Sequence, residues 1–158
     1  MKKIVSVAPM MDCTDKHDRY FLRLISKNVK LYTEMIVANA IIRGDRDFHL
    51  KFNLLEKPLA LQIGGSNPKE LAQATKIAEE YGYDEINLNL GCPSKKVQKN
   101  KFGACLMKEP NLVGECVSEM KNASSLPVTV KTRIGFDNFE NYEYLKKFIT
   151  IIKNAGSK

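Results

Sequence analysis

The fold is decided by the stretch EINLNLGCPS, which runs from Glu85 to Ser94. Apolar side chains alternate with amides over five consecutive residues, Ile86, Asn87, Leu88, Asn89 and Leu90. Because successive side chains of a strand point to opposite faces, this period of two predicts a strand with one apolar and one polar face. Gly91, Cys92 and Pro93 follow immediately, so the predicted strand ends there and carries a thiol at its carboxyl end.

Short strand-type segments alternate with helix-type segments along the whole chain. The predicted strands are residues 4–8, 31–35, 59–63, 85–90 and 127–131, and the helical segments are residues 15–27, 37–52, 67–82, 111–124 and 140–156. Such alternation is typical of a parallel sheet whose strands are joined by right-handed helical crossovers. The chain contains no linker and no low-complexity tract, so we expect it to belong to one domain.

The strands on either side of residues 85–90 have the same two-faced pattern. The polar face holds Gln62 in the third predicted strand and Thr129, Lys131 and Arg133 in or just after the fifth. An open sheet that helices cover on both faces would be apolar on both. A polar face that leads to the carboxyl ends is expected for a barrel interior opening into a site. The sequence therefore predicts an α/β fold of the (β/α)8 TIM-barrel type, truncated to about the first five βα units of a fold of about 250 residues.

Polar side chains converge at the predicted mouth of this barrel. They are Gln62, Asn87, Asn89, Cys92, Lys131 and Arg133. Each has a structural explanation when taken singly, but buried polar groups need partners, and three neighbouring strands that end in this way indicate a polar ligand. A thiol at this place could be a nucleophile, if a cation lowers its pKa, or a general acid. The residues alone leave both roles open.

Composition and charge limit the class of protein. The chain has 158 residues, of which 44% are hydrophobic and 27% charged, as in globular proteins. It lacks an apolar run near the roughly 20 residues that a membrane span needs, and its start fits a strand better than a secretory signal, so we expect a cytoplasmic protein. The net charge of +7 suits nucleic acid or another polyanion, although scattered lysines also fit a solvated surface.

Cysteine and histidine usage argues against a metal site. The four cysteines, Cys13, Cys92, Cys105 and Cys116, form no CxxC pair. Only His17 and His49 offer imidazole ligands, and neither lies at the end of a predicted strand. We therefore predict neither a zinc site nor a serine-type hydrolase.

Six segments of the chain resemble the tRNA-dihydrouridine synthases. They are SVAPMMDCTD (6–15), LYTEM (31–35), ALQIGG (60–65), DEINLNLGCPS (84–94), FGACLM (102–107) and PVTVKTRIG (127–135). The likeness runs from about Ile4 to the last residue and is strongest to the bacterial DusA branch. Another flavin barrel, such as a dihydroorotate dehydrogenase, fits GCPS and KTRIG less well.

The resemblance implies an FMN-dependent oxidoreductase that uses NADPH and reduces the 5,6 double bond of uridines in tRNA. In the DusA branch these are D-loop uridines at positions 20 and 20a. By resemblance, the flavin contacts are Pro9, Met10, Met11, Gln62 and Lys131, Cys92 is the catalytic acid, and Asn89 contacts the substrate nucleotide. We add the hypothesis that Arg133 and the basic loop 95–101, with Lys95 and Lys96, hold RNA phosphate.

The resemblance also implies an incomplete domain. We expect residues 1–158 to form the N-terminal part of the FMN-binding barrel, without the rest of the barrel and the C-terminal helical tRNA-binding domain. Because the loops after strands seven and eight supply the phosphate site of such barrels, we expect the chain alone to bind FMN poorly. Two interpretations stay open, a synthase completed by a second chain and a non-catalytic remnant that binds RNA or a partner.

Overall fold

The computed structural model of the protein describes residues 4–158. Its helices are α1 (Lys16–Ile25), α2 (Ala38–Arg43), α3 (Arg46–Leu50), α4 (Pro68–Glu80), α5 (Lys95–Lys99), α6 (Pro110–Ala123) and α7 (Tyr142–Asn154). Its strands are β1 (Leu31–Tyr32), β2 (Ile36–Val37), β3 (Leu59–Gly64), β4 (Glu85–Leu90) and β5 (Val128–Thr132). Residues 1–3, which the predicted domain includes, lie outside the described residues.

The strands form one parallel sheet whose spatial order follows the chain. The order is β1-β3-β4-β5, and β2 also pairs with β3. A doubly wound sheet reverses its strand order at a switch point, whereas a singly wound sheet adds each strand on the same side and curls toward a barrel. The prediction of an α/β, TIM-barrel-type fold is confirmed, and the sheet is a curled half-barrel.

The predicted first strand at residues 4–8 pairs in parallel as expected but does not form a continuous strand. This segment makes one parallel bridge, between Ser6 and Lys30, with Val7 N donating to Lys30 O at 3.0 Å. Ile4 and Val5 are 74% and 69% exposed, so the apolar side chains that suggested a buried strand contribute little burial. Without that packing, a β-type composition does not extend the ladder.

The predicted strand at residues 31–35 ends early in the structure, because β1 stops at Tyr32, and β2 begins at Ile36, one residue past the predicted end. Between them, the backbone N–H of Gln62 donates to the hydroxyl of Thr33 at 3.1 Å. A side-chain oxygen there accepts a hydrogen bond that a backbone carbonyl would accept in a regular ladder. The interruption between β1 and β2 follows from this replacement, because a strand is defined by its backbone pairing.

The helices agree with the predicted segments except between residues 37 and 52. There Asp45 begins a new helix, since its carboxylate accepts from Phe48 N at 3.0 Å, and the segment forms α2 and α3. In α4, Asn67 caps the first turn by accepting from Lys69 N and Glu70 N. Three short helical pieces were not predicted, α5 and the 3-10 helices at Leu54–Glu56 and Gly103–Lys108.

The core lies between the apolar face of the sheet and the helices. Seven strand residues on that face are fully buried, namely Leu59, Leu61, Ile63, Ile86, Leu88, Leu90 and Val128. Helix α4 packs against α2 on one side and α6 on the other, and α6 packs against α7. Because the helices form a layer on this face, the opposite face of the sheet is left for the polar side chains.

Candidate functional site

Three polar side chains form a row across the inner face of the sheet. The register pairs Gln62 with Asn87 and Asn87 with Thr129 on adjacent strands. Gln62 Nε2 donates to Asn87 Oδ1 at 2.8 Å, and Asn87 Nδ2 donates to Thr129 Oγ1 at 2.8 Å. Gln62 and Asn87 are only 1% and 2% exposed, so these bonds satisfy amides that burial would otherwise penalise.

Asn89 links this row to the loop after β4. Its Nδ2 donates to Gln62 Oε1 at 2.8 Å, while its Oδ1 accepts from Gly91 N at 3.1 Å and from Cys92 N at 3.0 Å. Asparagine at a strand end commonly satisfies its own following backbone in this way. The amide of Asn89 therefore fixes the first two residues of the GCPS loop.

Cys92 is also held from its carbonyl side. The carbonyl oxygen of Cys92 accepts from Ala104 N at 2.9 Å, which places the 3-10 helix against the loop. Gly103 permits this contact because it has a φ of +75°, and a Cβ there would lie 2.6 Å from Cys92 O. The thiol is partly buried. The sequence motif FGACLM thus has a structural role beside the thiol, which its sequence alone did not indicate.

The predicted cations lie at the same ends of the strands. Lys131 is exposed and in register with Asn89 on the neighbouring strand. Arg133 follows β5, and its Nη1 donates to Gly91 O at 3.2 Å. Lys95 and Lys96 are exposed in α5, whose first turn is capped by Ser94 through a bond from Val97 N. Four cationic side chains therefore lie at or just beyond this end of the sheet.

A cavity of about 890 Å³ opens beside the thiol. It is lined by Met11, Asp12, Met35, Val37, Ala38, Asn39, Gly65, Ser66, Asn67, Glu70, Cys92, Ser94, Lys96, Val97, Asn100 and Phe102. Of the predicted site residues, the structure brings Met11, Cys92 and Lys96 together on this wall. Pro9 and Met10 do not line it, and Met10 is instead tied to Thr14, whose hydroxyl accepts from Met10 N at 3.0 Å.

Glu85, the first residue of β4, was not among the predicted site residues. Its carboxylate accepts from Thr129 Oγ1 at 2.6 Å and from the hydroxyl of Tyr32 at 3.1 Å, and it pairs with the ammonium of Lys30. Burial, together with the nearby carboxylate of Glu85, raises the pKa of Tyr32. The signal was present in the sequence, because Glu85 lies two residues before Asn87 and must face the same side.

The remaining chemistry-bearing residues do not form a second centre. Cys116 is buried in α6, and burial raises the pKa of its thiol to about 12. Among residues 4–158, no group of three or more His, Cys, Asp and Glu side chains could hold a metal ion. Over the same residues, no helix is both long enough and apolar enough to cross a membrane.

The sequence model of the dihydrouridine synthase (Dus) family matches residues 6–158. The chain belongs to this family. It is 58% identical over 152 residues to the tRNA-dihydrouridine(20/20a) synthase of Vibrio parahaemolyticus, an alignment that covers 96% of this chain and 46% of the relative. It is 57% identical over 152 residues to the protein of the same name from Synechocystis, with coverage of 96% and 46%.

A third relative, the tRNA-dihydrouridine(20/20a) synthase of Shewanella oneidensis, is 56% identical over 156 residues, which are 99% of this chain and 46% of the relative. The resemblance to the dihydrouridine synthases and to their DusA branch is confirmed by these matches. The chain spans about half the length of the curated relatives it matches.

Proposed function

We propose that this dihydrouridine synthase chain is the N-terminal part of an FMN-dependent enzyme that reduces D-loop uridines of tRNA, at positions 20 and 20a, with NADPH as the reductant. The observation that carries the proposal is the position of Cys92. Its thiol follows β4 at the carboxyl end of the parallel strands and lines a cavity of about 890 Å³. In barrels of this type, reacting groups lie at that end.

Cys92 is the proposed general acid. Saturating the 5,6 double bond of uracil requires one hydride at C6 and one proton at C5. The Cys92 thiol gives its proton to C5, and the thiolate left behind takes a proton from solvent. A cysteine suits this role because a free thiol has a pKa of about 8.5 and is mostly protonated near neutral pH.

We propose that Lys131 and Gln62 bind the polar edge of a flavin ring. Lys131 offers an exposed ammonium, and Gln62 keeps one amide N–H beyond the one that it donates to Asn87. Such donors suit the carbonyl oxygens and ring nitrogens of a flavin. When bound, the reduced flavin supplies the hydride. We further propose that Pro9, Met10 and Met11, in the loop that precedes α1, contact the ring.

The RNA contacts are proposed for Asn89, Arg133, Lys95 and Lys96. Asn89 Nδ2 donates one of its two N–H groups to Gln62 Oε1, and the other is proposed to bind the target base. The target base has to leave its stack to reach a thiol at the barrel mouth. The two lysines are exposed in α5, next to Cys92 in the chain, and so can bind the phosphates that flank the flipped nucleotide.

The activity test supplies the rest of the barrel. We propose that residues 1–158 act together with a polypeptide equivalent to the remaining half of the relatives. The chain is purified alone and together with that half from the Vibrio parahaemolyticus relative, and each sample is incubated with FMN, NADPH and tRNA lacking dihydrouridine. Dihydrouridine from the pair, lost in Cys92→Ala but kept in Cys105→Ala, is the expected result.

Two outcomes oppose the proposal. Absence of dihydrouridine from the pair, although the pair binds flavin, favours a non-catalytic remnant. Product of equal amount from Cys92→Ala removes the acid role. Because Cys105 is also partly buried and lies on the adjoining 3-10 helix, its substitution controls for disturbance of the same region.

A further inference from the structure

We propose that Glu85 and Thr129 are positioning residues that set the orientation of the Cys92 loop through a one-way chain of hydrogen bonds. The effect of these residues on protonation of the base by Cys92 rests on the proposed function, whereas their effect on the loop does not. Neither residue contacts Cys92 directly in the structure. Both act through the three buried amides that lie between them and the loop.

The chain of hydrogen bonds runs through six residues, in the order Cys92, Asn89, Gln62, Asn87, Thr129 and Glu85. The backbone N–H of Cys92 donates to Asn89 Oδ1 at 3.0 Å. Asn89 Nδ2 donates to Gln62 Oε1 and Gln62 Nε2 donates to Asn87 Oδ1, each at 2.8 Å. Asn89 and Gln62 therefore each donate to the next member and accept from the previous one.

The last two links end on a carboxylate. Asn87 Nδ2 donates to Thr129 Oγ1 at 2.8 Å, and the hydroxyl of Thr129 donates to Glu85 Oε1 at 2.6 Å. Since Thr129 has a single hydroxyl hydrogen, its donation to Glu85 leaves only the oxygen for Asn87. Because Glu85 takes the hydroxyl hydrogen of Thr129, Thr129 can only accept a hydrogen bond from the Asn87 amide.

The direction of the chain is fixed by its two ends. A backbone N–H can only donate, and a carboxylate can only accept. If any one of the three amides were reversed, it would place two donors or two acceptors against each other at both of its links. Because Gln62, Asn87 and Asn89 are 1%, 2% and 8% exposed, little water is available to satisfy groups mispaired in this way.

Glu85 is itself held by two further donors that do not belong to this chain of hydrogen bonds. The Lys30 ammonium pairs with it, and the Tyr32 hydroxyl donates to Oε1 at 3.1 Å. Burial raises the pKa of Tyr32, so that hydroxyl keeps its proton over the ordinary pH range and stays a donor. Two donors from β1 and its preceding residue therefore anchor the acceptor end.

The GCPS loop depends on Asn89, at the opposite end of the chain of hydrogen bonds from Glu85. Asn89 Oδ1 accepts from both Gly91 N and Cys92 N, so both of its lone pairs are used. If Asn89 rotated, its NH2 group would face these two backbone donors. An anchored chain holds the oxygen toward the loop, and polarised hydrogen bonds in series strengthen one another.

The test compares two substitutions of Thr129 in the 158-residue chain. Thr129→Val keeps the β-branched shape but removes the hydroxyl, whereas Thr129→Ser keeps the hydroxyl and serves as the matched control. Amide hydrogen exchange is followed by 15N NMR at Gly91 and Cys92. We expect exchange there to be about tenfold faster in Thr129→Val and within about twofold of the parent in Thr129→Ser.

A reference amide and a second variant complete the design. The amide of Leu71, which donates to Asn67 O at 3.0 Å in the first turn of α4, should exchange at the parent rate in both variants. Glu85→Gln, which replaces the acceptor-only carboxylate with a group that also donates, should accelerate exchange at Gly91 and Cys92 as well. It serves as the deciding variant if Thr129→Val does not fold.

Unchanged exchange at Gly91 and Cys92 in the folded variants would overturn the proposal, and so would equal acceleration by Thr129→Ser and Thr129→Val. Dihydrouridine formation in the completed barrel is the separate readout. A lower kcat with unchanged KM for tRNA in Thr129→Val, restored in Thr129→Ser, is expected. If Cys92→Ala keeps full product, the proposed function fails, while the exchange data still decide whether the chain positions the loop.

Discussion

The backbone N–H of Cys92 donates to Oδ1 of Asn89 at 3.0 Å, so the thiol-bearing residue is held by the last inward-facing side chain of the strand before it. Asn89 accepts from Gly91 N in the same way. The loop geometry at the candidate site thus depends on one amide, and that amide is only 8% exposed. Substituting it has consequences for stability that can be measured without any ligand.

Asn89→Ala should lower the free energy of unfolding by about 2 kcal/mol, because it leaves two backbone donors and one Gln62 acceptor without partners. The measurement is urea denaturation followed by circular dichroism. Asn122→Ala, at an exposed position of α6, is the control and should change stability by less than about 0.5 kcal/mol. Equal effects of the two substitutions would contradict the role of Asn89.

Gly103→Ala should displace the Cys92 carbonyl. A Cβ at Gly103 would lie 2.5 Å from Val97 Cγ1 and 2.6 Å from Cys92 O, and the φ of +75° is itself unfavourable for alanine. We expect a loss of about 2 kcal/mol and faster exchange of the Ala104 amide, which donates to Cys92 O. Gly82→Ala, with a φ of +82° but no atom within 4 Å of its Cβ, separates backbone strain from contact.

The period of two in residues 85–90 was enough to predict β4, its two faces and the position of the thiol. Strand-type composition was less informative at residues 4–8, where Ile4 and Val5 remain exposed and only one parallel bridge forms. Composition shows that a segment has side chains suited to a strand, but only the tertiary structure determines whether another element buries those side chains. The order of strands in the sheet was predictable because parallel βα units connect in one hand.

The hydrogen-bond partners of the inner face could not be predicted in the same way. Which amide meets which depends on the register of β3, β4 and β5, and a shift of one residue would turn each side chain to the other face. Glu85 was missed because it begins a strand and looked like a boundary residue. The helix α5 was missed because its five residues are too few to show a helical period.

Arg19→Met should destabilise the protein by about 3 kcal/mol. Arg19 Nε lies 2.6 Å from Glu56 Oε2, and the two residues are 7% and 1% exposed, so the substitution leaves a buried carboxylate without its partner. Lys51→Met is the control, because Lys51 and Asp47 are exposed and 3.8 Å apart, and it should cost less than about 0.5 kcal/mol. Thermal denaturation of both variants against the parent checks the difference.

The cysteines should differ in their rates of alkylation by iodoacetamide at pH 8. Cys13 is exposed and should react readily, whereas Cys116 is buried, and burial raises the pKa of its thiol to about 12. Since the thiolate is the nucleophile, Cys116 should stay unmodified until the protein is unfolded in urea. Peptide mass spectrometry over time measures each site, and modification of Cys116 in the folded protein at the rate of Cys13 would contradict its burial.

The hydrogen bonds of Glu79 should stabilise the protein at neutral pH and lose this effect in acid. Its Oε1 accepts from Ser125 N at 2.9 Å and from Ser125 Oγ at 2.5 Å, and these bonds hold the pKa of Glu79 below its usual value. Because the pKa of Glu79 is lower in the folded protein than in the unfolded chain, its hydrogen bonds stabilise the protein above pH 4.5, the unfolded pKa. This stabilisation is lost as the pH falls through the pKa of the folded state. Glu79→Gln should therefore cost less than about 1 kcal/mol at pH 7 and nearly nothing at pH 2, because the site is solvent-accessible. Urea titrations of parent and variant at both pH values measure this difference, and a cost that grows toward low pH would refute the assignment.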